Sequence, residues 1–260
     1  MVLFVFEGER PEETLFNAMD SLFLHIRQGM RCIFRNNLYS LYENIQRYGD
    51  DVGDVDAVDT LSVLKERDDT LKDLDPQKVS EIYLFFDYDP HAARSNNLSL
   101  EELNDRVEKM LRLFNNETNH GKLYISYPMS EALRHTKELP DKDYNTYTFS
   151  IDHCGTFKDA SAHFSHYNGW DFVSYDRCHG DKKRVSKVRE NWVMLRRQNV
   201  GKACHICSLA SEEERTVRKE DVNQQRIFHG QRTKYIVPLQ SIAILSAFPL
   251  FLFDYLPQET

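Results

Sequence analysis

Glycine and proline are scarce in this chain, with ten and eight among 260 residues. No repeat or low-complexity tract accompanies them, which excludes collagen-like and intrinsically disordered classes. Cysteine is also sparse. Five thiols, an odd number, follow an N-terminus that lacks the basic start and longer apolar stretch of a signal peptide. The expectation is a reducing, cytoplasmic setting rather than a disulfide framework. No apolar run reaches the ~20 residues of a spanning helix. The nearest candidate, residues 242–256, is interrupted by Pro249 and Asp254 and reads as a buried strand followed by a buried helix, with no membrane contact. No P-loop signature occurs, so any nucleotide-driven sensing would belong to a partner. Excess positive charge is missing too. A formal charge of −8 argues against a uniformly basic coat for nucleic acid while leaving room for a local basic groove.

The composition is 41% hydrophobic and 12% aromatic, enough for one large core or a domain with an appended module. Residues 2–6 form a continuous apolar run of strand length, followed by a glycine-containing turn. A helical stripe then runs through Leu15, Met19, Leu22 and Ile26, with Pro11, Glu12 and Glu13 suited to its first turn. Residues 32–34 read as a short strand, and Leu38, Leu41, Tyr42 and Ile45 as another helical stripe. Asp50, Asp51, Asp54, Asp56 and Asp59 form an acidic cluster that reads as solvated loop, its spacing lacking the glycine and glutamate of a calcium-binding EF-hand. Residues 82–86 are the clearest buried strand. An amphipathic helix follows at Leu100, Leu103, Val107, Leu111 and Phe114, then a strand at 123–126 and a helix beginning in 128–135. Alternation of this kind predicts an α/β fold with a largely parallel sheet flanked by helices. We expect a core over 1–136 with an acidic helical insertion at about 36–80. A helical or irregular accessory region covers 137–240, and residues 241–260 supply a final strand and helix that complete the core.

In open α/β sheets, ligands sit beyond the carboxyl ends of the strands. Glu7 follows the first strand immediately, Asp87 and Asp89 end the strongest one, and Glu131 follows the strand at 123–126. Strand alternation points Asp87 and Asp89 the same way. Clustered carboxylates repel one another unless a cation neutralises them. Magnesium suits such a site because it takes hard oxygen ligands and keeps waters for a substrate phosphate, with manganese as a substitute.

The stretch Phe4-Val5-Phe6-Glu7-Gly8-Glu9-Arg10-Pro11-Glu12, ahead of Leu15-Phe16, resembles the glutamate motif of TOPRIM domains. Phe85-Phe86-Asp87-Tyr88-Asp89 resembles their Asp-x-Asp motif. The likeness is nearest to small TOPRIM nucleases of bacterial defence systems, including RloB-like, abortive-infection and overcoming-lysogenisation-defect families and the effectors of PARIS type. In RloB-like proteins the second glutamate lies five residues after the first, which selects Glu12. Ile125-Ser126-Tyr127-Pro128-Met129-Ser130-Glu131 resembles their Asn-Pro-x-x-Glu segment, which carries over Pro128 and Glu131. The resemblance covers about residues 1–136 and implies a TOPRIM-like (Rossmann-like) sheet. It further implies a magnesium-dependent endonuclease acting on DNA or RNA, transfer RNA included, as the toxic effector of an anti-phage system. Glu7, Glu12, Asp87 and Asp89 would be the metal ligands, with Glu131 in support. Two departures accompany it. The segment between the motifs is long, and no lysine matches a family lysine, so the general base and transition-state cation stay open.

Several further signals carry their own alternatives. His91 and His135 lie just beyond the presumed active edge, and histidine titrates near neutrality, so His91 is a candidate acid or water-orienting group. Lys182, Lys183, Arg184, Lys187, Arg189, Arg196 and Arg197 surround Trp192, either as a nucleic-acid surface with a stacking ring or as a solvated helix whose tryptophan faces the core. Cys204 and Cys207 have half the spacing of a zinc knuckle, but no partner spacing completes it, and zinc is not expected. The rival to catalysis is a non-catalytic interaction subunit whose acidic surface docks onto an ATPase partner. A homodimer is left open.

Overall fold

A computed structural model describes residues 1–8, 10–48, 60–91, 98–209 and 217–257. The acidic cluster at 50–59 lies outside the described residues. Five strands form the main sheet: β1 (Val2–Phe6), β2 (Gly29–Ile33), β3 (Glu81–Asp87), β4 (Asn115–Asn116) and β5 (Gly121–Ser126), in the order β2-β1-β3-β5-β4. The first three pairings are parallel, and only β4 runs antiparallel, at the edge beside β5. The protein therefore has an α/β fold with a mostly parallel sheet flanked by helices.

The period-two alternation of the strands sorts the core by chemistry. Leu3, Val5, Ile82, Leu84, Phe86, Leu123 and Ile125 face one side of the sheet, where α2 (Leu38–Tyr48), α3 (Thr60–Lys65) and α4 (Leu100–Leu113) supply Leu41, Leu64 and Val107. Phe4, Phe6, Tyr83, Phe85 and Tyr124 face the other. There the ring of Phe85 stacks on Phe6 at 5.3 Å and on Tyr124 at 5.5 Å. Each fully buried ring of this kind is worth about 1.5–3 kcal/mol, so the two-sided burial is what anchors the strand ends.

The aromatic face is closed by α1 (Arg10–Met19) and by the last helix, Ala247–Tyr255, whose Phe248 stacks on Phe85 at 5.1 Å. Two short strands precede that closure: β6 (Thr148–Ser150) and β7 (Ser241–Ala243), which pair antiparallel with each other rather than joining the main sheet. Contact with the sheet comes one residue pair further on, where Tyr127 and Leu245 exchange backbone hydrogen bonds of 2.8 and 2.9 Å. The final strand expected within residues 241–260 thus pairs in a separate ribbon, and the chain after it meets the end of β5 at the Tyr127–Leu245 bridge.

Between β6 and β7 lie α5 (Phe157–Phe164) and the long α6 (Lys182–Ile206), capped by Asp181, whose side chain accepts from the Lys183 and Arg184 amides. Further on, the chain forms a 3₁₀ turn (Lys219–Val222), a short α7 (Gln224–Gly230) and a π-helical turn at Gln231–Ile236 rather than one long helix. Lys202 is fully buried in α6 and donates to the carbonyls of Tyr144 and Tyr147. Burial pushes its ammonium pKa down to about 7. No helix among the described residues is long and apolar enough to cross a membrane.

At the crossing of α6 and α7, a Cβ on Gly230 would lie 2.4 Å from the Ile206 carbonyl oxygen, a backbone atom that cannot step aside. Gly230→Ala is expected to cost about 1–3 kcal/mol through overpacking. Urea unfolding reads it as a lowered midpoint at unchanged slope; an unchanged midpoint would show that the two helices do not approach this closely.

Candidate metal centre

The parallel register sets the carboxyl ends of β1, β3 and β5 side by side. Phe6 pairs with Phe85 and Asp87 with Ser126. Glu7 leaves β1 with its amide donating to Phe85 O at 3.1 Å, and its Oε2 accepts from the Asp87 amide at 3.0 Å. The two acids are therefore tied across neighbouring strands. Glu12 comes from the first turn of α1 and is 6% exposed. Its Oε2 is buried with no hydrogen-bond partner among the described residues, while the Ser130 hydroxyl offsets part of the burial penalty on the carboxyl, and a Cβ on Gly8 would lie 3.2 Å from Oε2, so glycine leaves the carboxylate room. Glu131, 5% exposed, sits in a 3₁₀ turn (Ser130–Arg134) rather than the α-helix expected there.

These carboxylates act on one another electrostatically. Burial raises the Glu7 pKa from the ordinary 4.5 to about 8, with the charges of Asp89 and Glu12 adding to it against the Asp87 amide. Asp87 is pushed well above the usual carboxylate range by burial and then by Glu7, Glu12 and Glu131, against the Ser130 amide. Burial also raises Glu12, and Glu131 adds to the effect. The structure thus brings together Glu7, Glu12, Asp87 and Glu131, with Asp89 beside Glu7. Among the described residues, no three His, Cys, Asp or Glu side chains converge closely enough to form a ready-made ligand set.

Asp89 departs from the strand alternation. Strand β3 ends at Asp87, and Asp89 adopts φ +23°, so the period-two argument for its direction stops two residues short. Its Oδ1 accepts from the His91 amide at 3.1 Å. His91 itself is exposed, with its ring against Gly155, where a Cβ would lie 3.2 Å from Cδ2. None of the described contacts turns that ring toward the carboxylates. His135 is buried, stacked on Phe164 at 4.2 Å with Nδ1 3.0 Å from Ser161 Oγ, and burial lowers its pKa to about 4. It is a core histidine.

A cation that sequence reasoning missed lies at the same edge. Lys158 Nζ is 3.8 Å from Glu131 Oε1, and the lysine side chain is 70% exposed while that of Glu131 is 7% exposed. Its positive charge also opposes the upward shift of Glu12. Arg134 secures the lysine's backbone by donating to Lys158 O at 2.8 Å. Lys158 stands in the stretch that shows no periodicity, and no motif marks it.

The other signals resolve structurally. Trp192 is fully buried and donates to Val173 O at 2.9 Å, so it belongs to the core. Around it, Lys182, Lys183, Arg184, Lys187 and Arg197 are exposed, while Arg189 donates to Leu22 O at 2.7 Å. None of the five cysteines is in a disulfide. Cys204 is buried, and burial pushes the Cys207 thiol up to about 11, which disfavours the thiolate that zinc requires.

The Glu7 shift has a consequence for stability. A carboxyl whose pKa rises from 4.5 to about 8 on folding binds its proton more tightly in the native state. Metal-free protein should therefore lose stability as pH rises through that window. Glu7→Gln removes this part of the slope; urea titrations from pH 4.5 to 8 would disprove it if wild type and variant ran parallel.

No protein-family model matches the chain, and neither the curated proteins nor the solved structures contain a significant match to it.

Proposed function

We propose that this protein is a magnesium-dependent phosphodiester hydrolase of TOPRIM type, acting on nucleic acid. The observation that carries the reading is the buried, under-neutralised carboxylate cluster at the carboxyl edge of the parallel sheet, with Glu12 Oε2 buried and without a hydrogen-bond partner among the described residues. Four separate segments contribute to it: the end of β1, the start of α1, the end of β3 with Asp89, and the turn after β5. An all-oxygen donor set in this position fits a hard divalent cation.

Glu7, Asp87 and Asp89 would hold the ion, with Glu12 holding a second or orienting a water. When bound, magnesium or manganese polarises the phosphate and lowers the pKa of a bound water. The Asp87 amide fixes the Glu7 carboxylate, so its free oxygen has a defined direction. Lys158 offers a phosphate oxygen a mobile counter-charge, because its pairing with Glu131 is long and solvent-exposed on the lysine side and therefore weak. His91 has no role in this arrangement. The exposed basic residues at the start of α6 supply local positive charge for a nucleic-acid backbone despite the chain's net −8.

The resemblance in the two acidic motifs extends the proposal to a toxic effector of anti-phage defence, held in check or triggered by an ATPase partner. Its test is expression of wild type, Glu7→Ala and Asp87→Ala, scoring toxicity and cleavage of DNA, total RNA and transfer RNA with magnesium or with EDTA. Loss of the several kcal/mol that a metal contributes predicts a drop of roughly a hundredfold or more in cleavage for either variant and for EDTA. Equal toxicity and equal cleavage across all arms would overturn catalysis and leave a docking subunit as the better description.

A further inference from the structure

The segment Asp87-Tyr88-Asp89 leaves the sheet and turns sharply, and its middle peptide is held at both ends. The peptide joining Tyr88 to Asp89 donates its N–H to Pro128 O at 2.9 Å, and its carbonyl accepts from the hydroxyl of Tyr39 on α2. Two further anchors fix Tyr88 itself. Its amide donates to Ser126 O at 3.0 Å, and its hydroxyl donates to Asn104 Oδ1 at 2.7 Å. Tyr39 is 1% exposed and Tyr88 fully buried, so no water replaces a lost bond at that carbonyl.

These anchors bear on Asp89, whose φ of +23° is an uncommon backbone state for a residue with a side chain. Rotation about the Asp89 N–Cα bond is rotation against the plane of that peptide. Holding both its N–H and its C=O fixes the plane, and the plane fixes where the Asp89 carboxylate goes. With the N–H bond alone, the peptide can swing and Asp89 can relax to negative φ.

We propose that Tyr39 is a positioning residue for the metal centre, its hydroxyl gripping the Tyr88 carbonyl so that Asp89 is held with its carboxylate toward Glu7. This rests on the metal-dependent reading of the site. Burial, with the carboxylates of Asp89 and Glu7 adding to it, keeps the Tyr39 phenol protonated far above its ordinary range, so it is a donor at every working pH. The residue lies outside both acidic motifs and outside the apolar stripe of its own helix, which is why the sequence does not mark it.

Tyr39→Phe deletes the hydroxyl and keeps the ring. Mn²⁺ binding to the metal-free full chain, followed by electron paramagnetic resonance, is expected to weaken about tenfold in this variant, the scale set by orphaning one buried carbonyl. Thr60→Val is the matched control, since it removes another buried hydroxyl-to-carbonyl bond, Thr60 Oγ1 to His120 O at 2.8 Å. It should lower the melting temperature comparably and leave Mn²⁺ binding at the wild-type level. Wild-type affinity in Tyr39→Phe overturns the proposal and leaves the metal reading standing. Absence of Mn²⁺ binding by the wild type itself sinks the metal reading and the role assigned to Tyr39 with it. A crystal structure of metal-free Tyr39→Phe gives the independent check: Asp89 is expected to leave positive φ, and an Asp89 still at positive φ overturns the proposal.

Discussion

Repulsion between buried carboxylates at one sheet edge is the constraint around which this molecule is arranged. Glu7, Glu12 and Glu131 each raise the cost of ionising another carboxyl, with Asp87 raised by all three, and among the described residues no buried arginine or lysine balances them. Such an edge persists only if the strands beneath it cannot separate. The sheet meets that requirement by burying both faces, aliphatic on one and aromatic on the other, so each strand end is fixed before its acid is reached. The hydrogen bond from the Asp87 amide to Glu7 then ties the two central strands at the point of greatest repulsion.

How much of this is readable from sequence depends on whether the signal is local. Residues 2–6 and 82–86 are unbroken apolar runs of strand length, and the acids directly after them inherit their position, so Glu7 and Asp87 are legible. Helix chemistry places both Glu12 and Glu13 in a first turn, and it is the five-residue spacing of the resemblance that singles out Glu12. Asp89 is legible in position but not in direction. Alternation holds only inside a strand, and the peptide before Asp89 is set by Tyr39 and Pro128, which are 50 and 39 residues away in the chain. The same distance problem hides Lys158, whose place beside Glu131 depends on how residues 148–164 fold back over the edge of β5. It also hides the pairing of β6 with β7, two three-residue strands more than 90 residues apart.

The basic helix shows the converse case, in which a pattern is legible and its meaning changes. Charged residues interleaved with tryptophan fit both a base-stacking surface and an ordinary amphipathic helix. Trp192 is inside, bonded to Val173 O, and that removes the stacking ring. What remains is a patch of exposed lysines and arginines near the start of α6, which can attract a phosphate backbone but cannot select a base. On the proposed nucleic-acid reading, charge without a reading element would support affinity rather than sequence choice, and selectivity would have to arise elsewhere.

Retaining that edge carries a cost that a purely structural role does not explain. A carboxylate that caps a helix or bridges a turn normally finds its pKa depressed, because the folded state stabilises its charge. At Asp68 burial is the largest single effect and raises the pKa, but hydrogen bonds from Thr70, Ile33 and Cys32 together outweigh it and leave the carboxyl below its usual range. Glu7, Glu12 and Asp87 move the opposite way in the same molecule. Burial is the largest cause at all three and outweighs the donors each of them has, and the neighbouring acids add to it. Acids arranged to destabilise one another's charge make sense when positive charge arrives from outside the chain. Binding of a divalent cation would then recover the electrostatic free energy that folding leaves unspent, and the same linkage that makes metal-free protein sensitive to pH would make metal affinity rise as the cluster deprotonates.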